Sequence, residues 1–203
     1  MIEQLKMKFG TKCSAIGVNK EWTGTFQQPS KPLKFCEAVN YSFQESVKLG
    51  KQDIGCRGAR RSLGFDNDDS ALARFISSNN NIPVQFIENA LREIPKLKNI
   101  NNVFLGIDED MEKKIEPDLY IIYVQPLMVT KLIHNLAKIG IRPFVSSFSL
   151  LSVCGNIFSH CYKNNTVSLS FGCPESRKYG GIEKNEVVLG FSSEYALNVI
   201  SSA

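Results

Sequence analysis

The chain has 203 residues, 43% hydrophobic and 22% charged, a balance typical of an ordinary globular domain and unlike that of a disordered chain. Twenty-four Lys and Arg against twenty Asp and Glu leave a net charge of +4, and the basic residues are dispersed among acidic ones, so nucleic-acid binding is not indicated. No stretch approaches the roughly 18 consecutive apolar residues of a membrane helix, and the opening Met1-Ile2-Glu3-Gln4-Leu5-Lys6 holds no apolar export core, so a cytoplasmic location is expected.

Along the chain, Cys13-Ser14-Ala15-Ile16-Gly17-Val18 alternates well enough for a strand, and residues 21–32, with two prolines and small polar side chains, read as a loop. Phe35, Val39, Phe43 and Val47 recur every four residues, which predicts a helix from after Pro32 to near Gly50 with Cys36 on the edge of its apolar face. Gly55-Cys56-Arg57-Gly58-Ala59-Arg60-Arg61-Ser62 reads as a short turn entering a helix. Helices are predicted over Asp69 to Ile76 and Pro83 to Ile94, separated by a polar linker at residues 77–81.

The runs Asn102 to Ile107 and Asp118 to Val124 are short, apolar and rich in β-branched or aromatic residues, as buried strands are. Pro126 to Ile139 is amphipathic and stopped by Gly140. Strands follow at Pro143 to Phe148, Thr166 to Phe171 and Val187 to Phe191, with helices at Leu151 to Tyr162 and Glu194 to Ile200. This rhythm predicts one domain, residues 1–203, of α/β or α+β class, a mixed sheet with helices packed on it.

Six cysteines would suggest disulfides in a secreted chain, but in a reducing cytoplasm they point to metal binding, redox chemistry or burial. Cys36, Cys56, Cys154 and Cys173 lie in segments with special local chemistry, whereas Cys13 sits in a predicted strand. Cys154 and Cys161, seven apart, would share a helix face two turns and about 10 Å apart, too far to share one metal ion but able to face one pocket. Gly172-Cys173-Pro174 follows a strand, and Cys-Pro is common where thiolates hold iron–sulfur clusters. Without a C-x-x-C pair, any such site has to be assembled from distant segments, and zinc is less expected than a cluster. The two histidines do not support a nucleophile pair: His134 reads as a surface residue, and His160 diverges from its neighbour Cys161. Gly55–Gly58 and Gly180-Gly181 match no nucleotide-binding fingerprint.

Lys34-Phe35-Cys36-Glu37-Ala38-Val39, then Cys56-Arg57-Gly58-Ala59 with Leu63-Gly64, then Ser146-Ser147-Phe148-Ser149 with Ser152-Val153-Cys154-Gly155, and finally Gly172-Cys173 with Ser176-Arg177 together resemble the prokaryotic domain-of-unknown-function family DUF169. The Gln125-Pro126 step fits the same pattern. The resemblance covers essentially the whole chain. It implies a compact α/β domain of bacteria and archaea, many of them anaerobes, with no agreed reaction. It also favours Cys36, Cys56, Cys154 and Cys173 over Cys13 and Cys161.

The leading expectation is therefore a protein of redox or cofactor metabolism that gathers Cys36, Cys56, Cys154 and Cys173 around an iron–sulfur cluster or another metal. Arg57, Arg60 and Arg177 would tune charge or hold an anionic substrate. A redox or metabolic partner protein and a homo-oligomer are both compatible with this reading. Two rivals stand beside it: a ligand-binding or assembly module with an apolar pocket along residues 35–47, and a metal-free thiol enzyme in which one cysteine attacks and another resolves.

Overall fold

Leu119–Val124 is apolar at every position, a pattern that requires cover on both faces of a sheet. In the computed structural model, which describes residues 1–22, 24–106, 115–146 and 150–202, this strand (β4) has that cover. Leu119, Ile121 and Tyr123 enter one apolar core, and Tyr120, Ile122 and Val124 enter another on the opposite side.

β4 sits in the middle of a seven-stranded sheet with β1 (Cys13–Val18), β2 (Val47–Gly50), β3 (Asn102–Gly106), β5 (Phe144–Val145), β6 (Val167–Ser170) and β7 (Val187–Ser192). The order is β2-β3-β1-β4-β7-β6-β5, antiparallel throughout except for the β5–β6 pair. The fold is α/β with a mixed sheet, as expected. Ile107, and with it the end of the predicted strand over 102–107, lies outside the described residues. So does the Ser147-Phe148-Ser149 part of the strand and motif read there.

Three helices cover one face: α1 (Ile2–Phe9), α6 (Pro126–Lys138) and α9 (Ala196–Ser202), through Ile2, Leu5, Leu132, Leu136 and Val199. The other face carries α2 (Phe35–Tyr41), α3 (Arg57–Ser62), α4 (Asp69–Asn80), α5 (Val84–Glu93) and a π-helix at Ser152–Ser159 that runs into α7 (His160–Asn164). A short helix, α8 (Pro174–Tyr179), packs against α2. None of the described helices is long and apolar enough to cross a membrane.

Several sequence expectations are corrected here. The helix predicted to run from Pro32 to Gly50 ends at Tyr41: Ser42 turns the chain, its hydroxyl donating to the Val39 carbonyl (2.7 Å), and Val47 pairs with Leu105 in an added edge strand. The four-residue spacing persists because Phe43 and Val47 still face the same core, Phe43 meeting Tyr123 edge-on at 4.9 Å. The polar linker expected at 77–81 is instead the last turn of α4. Ser78 and Asn80 donate back to the carbonyls of Phe75 and Ile76 there, and Asn81 closes the helix in the left-handed conformation. Helices α1 and α8 were not anticipated.

Candidate functional site

The sequence around Cys36 begins with a residue whose backbone is capped from within the motif: Glu37 accepts the Lys34 N–H (3.3 Å). Phe35 then packs on Phe158 with ring centroids 4.9 Å apart, which fixes the first turn of α2 and directs Cys36 toward α8, where its thiol meets the Glu175 carbonyl (3.8 Å). Leu33 and Ile54 form a parallel bridge, with Leu33 N–H donating to Asp53 O and Gly55 N–H to Leu33 O, both 2.8 Å. That bridge lays the segment before Cys36 alongside the segment before Cys56, the residue that caps α3. A side chain at Gly55 would press on Pro32 at 3.2 Å.

Cys173 caps α8 reciprocally: its N–H donates to Ser176 Oγ (2.8 Å), and its sulfur accepts the Ser176 N–H (3.4 Å). Cys154 comes from the π-helix, a rare element concentrated at functional sites. Leu151 starts that helix in the left-handed conformation (φ 46°), an uncommon backbone for a branched residue. Side chains hold the widened turns: Ser159 donates to the Cys154 carbonyl (2.9 Å), Ser168 to Asn156 O (2.5 Å) and Asn156 to Leu150 O (2.6 Å).

These four segments enclose a cavity of about 570 Å³ on one side of the sheet, and Cys36, Cys56, Cys154 and Cys173 all line it. Its remaining wall is largely apolar, with Phe35, Leu72, Phe75, Ile76, Leu150 and Val153, while Lys34, Arg57, Glu175, Asn79 and Asn80 are polar residues in the lining. No disulfide joins any of the six cysteines, all of which lie among the described residues. Cys13 is fully buried in the core on the far side of the sheet. Cys161, expected to share a pocket with Cys154, does not: beyond the π-helix its sulfur faces β7, where a side chain at Gly190 would lie 3.3 Å from it. The angular spacing of an α-helix does not apply across a π-helix, which is why the seven-residue argument fails.

Burial pushes the Cys36 thiol well up, and a thiolate at Cys56 or Cys173 would raise it further. Burial also raises Cys56, opposed by the backbone N–H groups of Phe35 and Ala59 and by the Lys34 ammonium. Cys154 is raised most plainly by burial and then by the other three cysteines, whereas the neighbouring Ser62 hydroxyl pulls it down. Two buried hydroxyls beside this group, Ser62 Oγ and Tyr123 OH, have no hydrogen-bond partner of good geometry. Burial pushes the Tyr123 hydroxyl well up, and negative charge on Cys36, Glu186 or Cys173 would raise it further.

Of the three arginines singled out in the sequence, the structure brings only Arg57 to the cavity. Arg60 pairs with Asp66 and donates to the carbonyls of Lys51 and Ile54. Arg177 donates to the carbonyls of Phe171, Glu183 and Glu186, clamping the loop before β7. Sequence reading missed Lys34, which pairs with Glu175 and lies over the Tyr179 ring (4.5 Å), as well as Phe75, Asn79 and Asn80. Lys34 stands inside the motif around Cys36 and was open to notice, but the asparagines looked like linker.

The fold and this site define a class: α/β proteins in which separate segments deliver four thiols to one cavity. The chain belongs to the family described as "Uncharacterised ArCR, COG2043", DUF169, whose model matches residues 6–202. It is similar to "Uncharacterized protein MJ0308" of Methanocaldococcus jannaschii, 25% identical over 178 residues, which cover 83% of this chain and 75% of that protein. No solved structure matches it significantly.

Proposed function

We propose that this is a cytoplasmic cofactor-binding protein of redox or cofactor metabolism, with an iron–sulfur cluster held in the cavity by Cys36, Cys56, Cys154 and Cys173. The convergence of these four cysteines, from four distant segments, on one cavity is the observation that carries the reading. Among the described residues no group of three or more His, Cys, Asp or Glu side chains is arranged to hold a metal ion. That weighs against a mononuclear centre. In a four-iron cluster each thiolate binds a different iron, so its ligands stand farther apart than those of a single ion.

Burial favours the neutral thiols, so ligation to iron would displace protons, and cluster binding should strengthen as pH rises. Ser62 and Tyr123 carry hydroxyls without other partners, the kind of donor that tunes a sulfur-ligated centre by hydrogen bonding.

The test is anaerobic purification followed by a visible spectrum and iron and sulfide analysis of the same sample. Broad visible absorbance with stoichiometric iron and sulfide is expected, lost in the Cys56→Ser/Cys173→Ser double variant and kept in Cys13→Ser. A colourless, metal-free protein that remains folded would overturn the reading in favour of a thiol enzyme or a ligand-binding module.

A further inference from the structure

The cavity is larger and more apolar than four sulfur ligands require. About 570 Å³ falls within the roughly 300–1,000 Å³ of small-molecule sites, and even a cluster of eight iron and sulfur atoms would leave space beside it. The wall supplied by α4 carries no thiol: Leu72, Phe75 and Ile76 line it there, followed by Asn79 and Asn80.

The two cations that line the cavity differ in how they are engaged. Lys34 is neutralised by Glu175. Arg57 is solvent-exposed and pairs with no carboxylate among the described residues. Its Cζ lies over the Phe75 ring, 4.4 Å from the centroid, which places the guanidinium beside the apolar wall.

We propose that the cavity binds a small amphipathic organic carboxylate, with its apolar body against Leu72, Phe75 and Ile76 and its carboxylate on the guanidinium fork of Arg57. This rests on the cavity being the functional site, as above, but on no step at a cofactor. One free guanidinium matches one negative charge in planar, two-pronged geometry. A phosphate monoester, with closer to two charges near neutral pH, would be left undercompensated because Lys34 is already paired.

Octanoate, octan-1-ol and octyl phosphate, titrated calorimetrically into the purified full chain, test the assignment. Octanoate should bind saturably, Arg57→Gln should weaken it about tenfold, and octan-1-ol should bind both proteins within about twofold of each other. Arg57 is exposed, so this substitution leaves the core intact. Failure of octanoate to bind, equal binding to wild type and Arg57→Gln, or tighter binding of octyl phosphate would each overturn the proposal. Iron and sulfide measured on the same samples separate the two readings: octanoate binding without iron sinks the cluster alone, and a cluster without octanoate binding sinks the carboxylate site alone.

Discussion

Buried charge and buried thiols set the chemistry of individual residues. In the reduced, metal-free protein, access should decide alkylation: Cys56 and Cys173 are half-buried, whereas Cys13, Cys36, Cys154 and Cys161 are buried. Burial also holds Cys36, Cys154 and Cys161 in the neutral form, the unreactive one. Timed iodoacetamide labelling with peptide mass spectrometry is expected to modify Cys173 and Cys56 first, and early labelling of Cys161 would contradict the packing.

Arg61 is structural rather than functional. The residue is 4% exposed, and its guanidinium donates to the carbonyls of Leu91 and Ile94 (2.7 Å each) and pairs with Asp69. Arg61→Ala should cost about 3 kcal/mol in urea unfolding because it strands those acceptors. Burial alone would raise the Asp69 carboxyl, but the hydrogen bond and charge of Arg61, with help from Lys96, hold it below its ordinary value. Its contribution to stability is therefore present above the unfolded-state value of about 4 and disappears as pH falls through the lower folded-state value. Asp69→Asn should flatten the acid limb of the stability curve, as unfolding midpoints measured below about pH 5 would show.

Among the elements, the π-helix depends on β7 lacking a side chain at Gly190. A Cβ there would lie 2.3 Å from Ile157 Cγ2, so the helix rests directly on the strand. Gly190→Val should destabilise by about 1–3 kcal/mol, read by urea unfolding, and, by lifting the helix that carries Cys154, weaken binding of the cluster proposed above, read by iron analysis. On the other side of the π-helix, a Cβ at Gly155 would lie 2.7 Å from Ile94 Cγ2 and 3.3 Å from Ser62 Oγ, so the approach of α3 that brings Ser62 to Cys154 also depends on a missing side chain.

For the whole molecule, the sheet separates two cores, and the cavity belongs to only one of them. Leu132 is fully buried on the opposite face. Leu132→Ala should therefore cost roughly 2–5 kcal/mol in stability while leaving octanoate affinity and iron content of the folded protein unchanged. A parallel loss of binding would show that the two faces are coupled.

Most strands and the longer helices were legible in the sequence because each carries its own pattern. Cys13–Val18, Leu119–Val124 and Val187–Ser192 are short apolar runs, and Pro126–Lys138 has a first-turn proline and a continuous apolar stripe. The motifs around Cys36, Cys56, Cys154 and Cys173 marked the segments that line the cavity. Reading failed where local preference yields to packing. Val47–Gly50 follows a helical spacing yet is drawn into the sheet edge by β3, and Asn79 and Asn80 form helix because α4 continues along the cavity. Local pattern determined which segments form most of the elements and which cysteines to watch, because periodicity and turn chemistry act over a few residues. Only the tertiary structure decided that Cys36, Cys56, Cys154 and Cys173 line one cavity while Cys161 turns away, and that Arg57 rather than Arg60 or Arg177 reaches it. Those outcomes depend on long-range contacts and on helix geometry, the Leu33–Ile54 bridge and the π-helix seated on Gly190, which spacing along the chain does not encode.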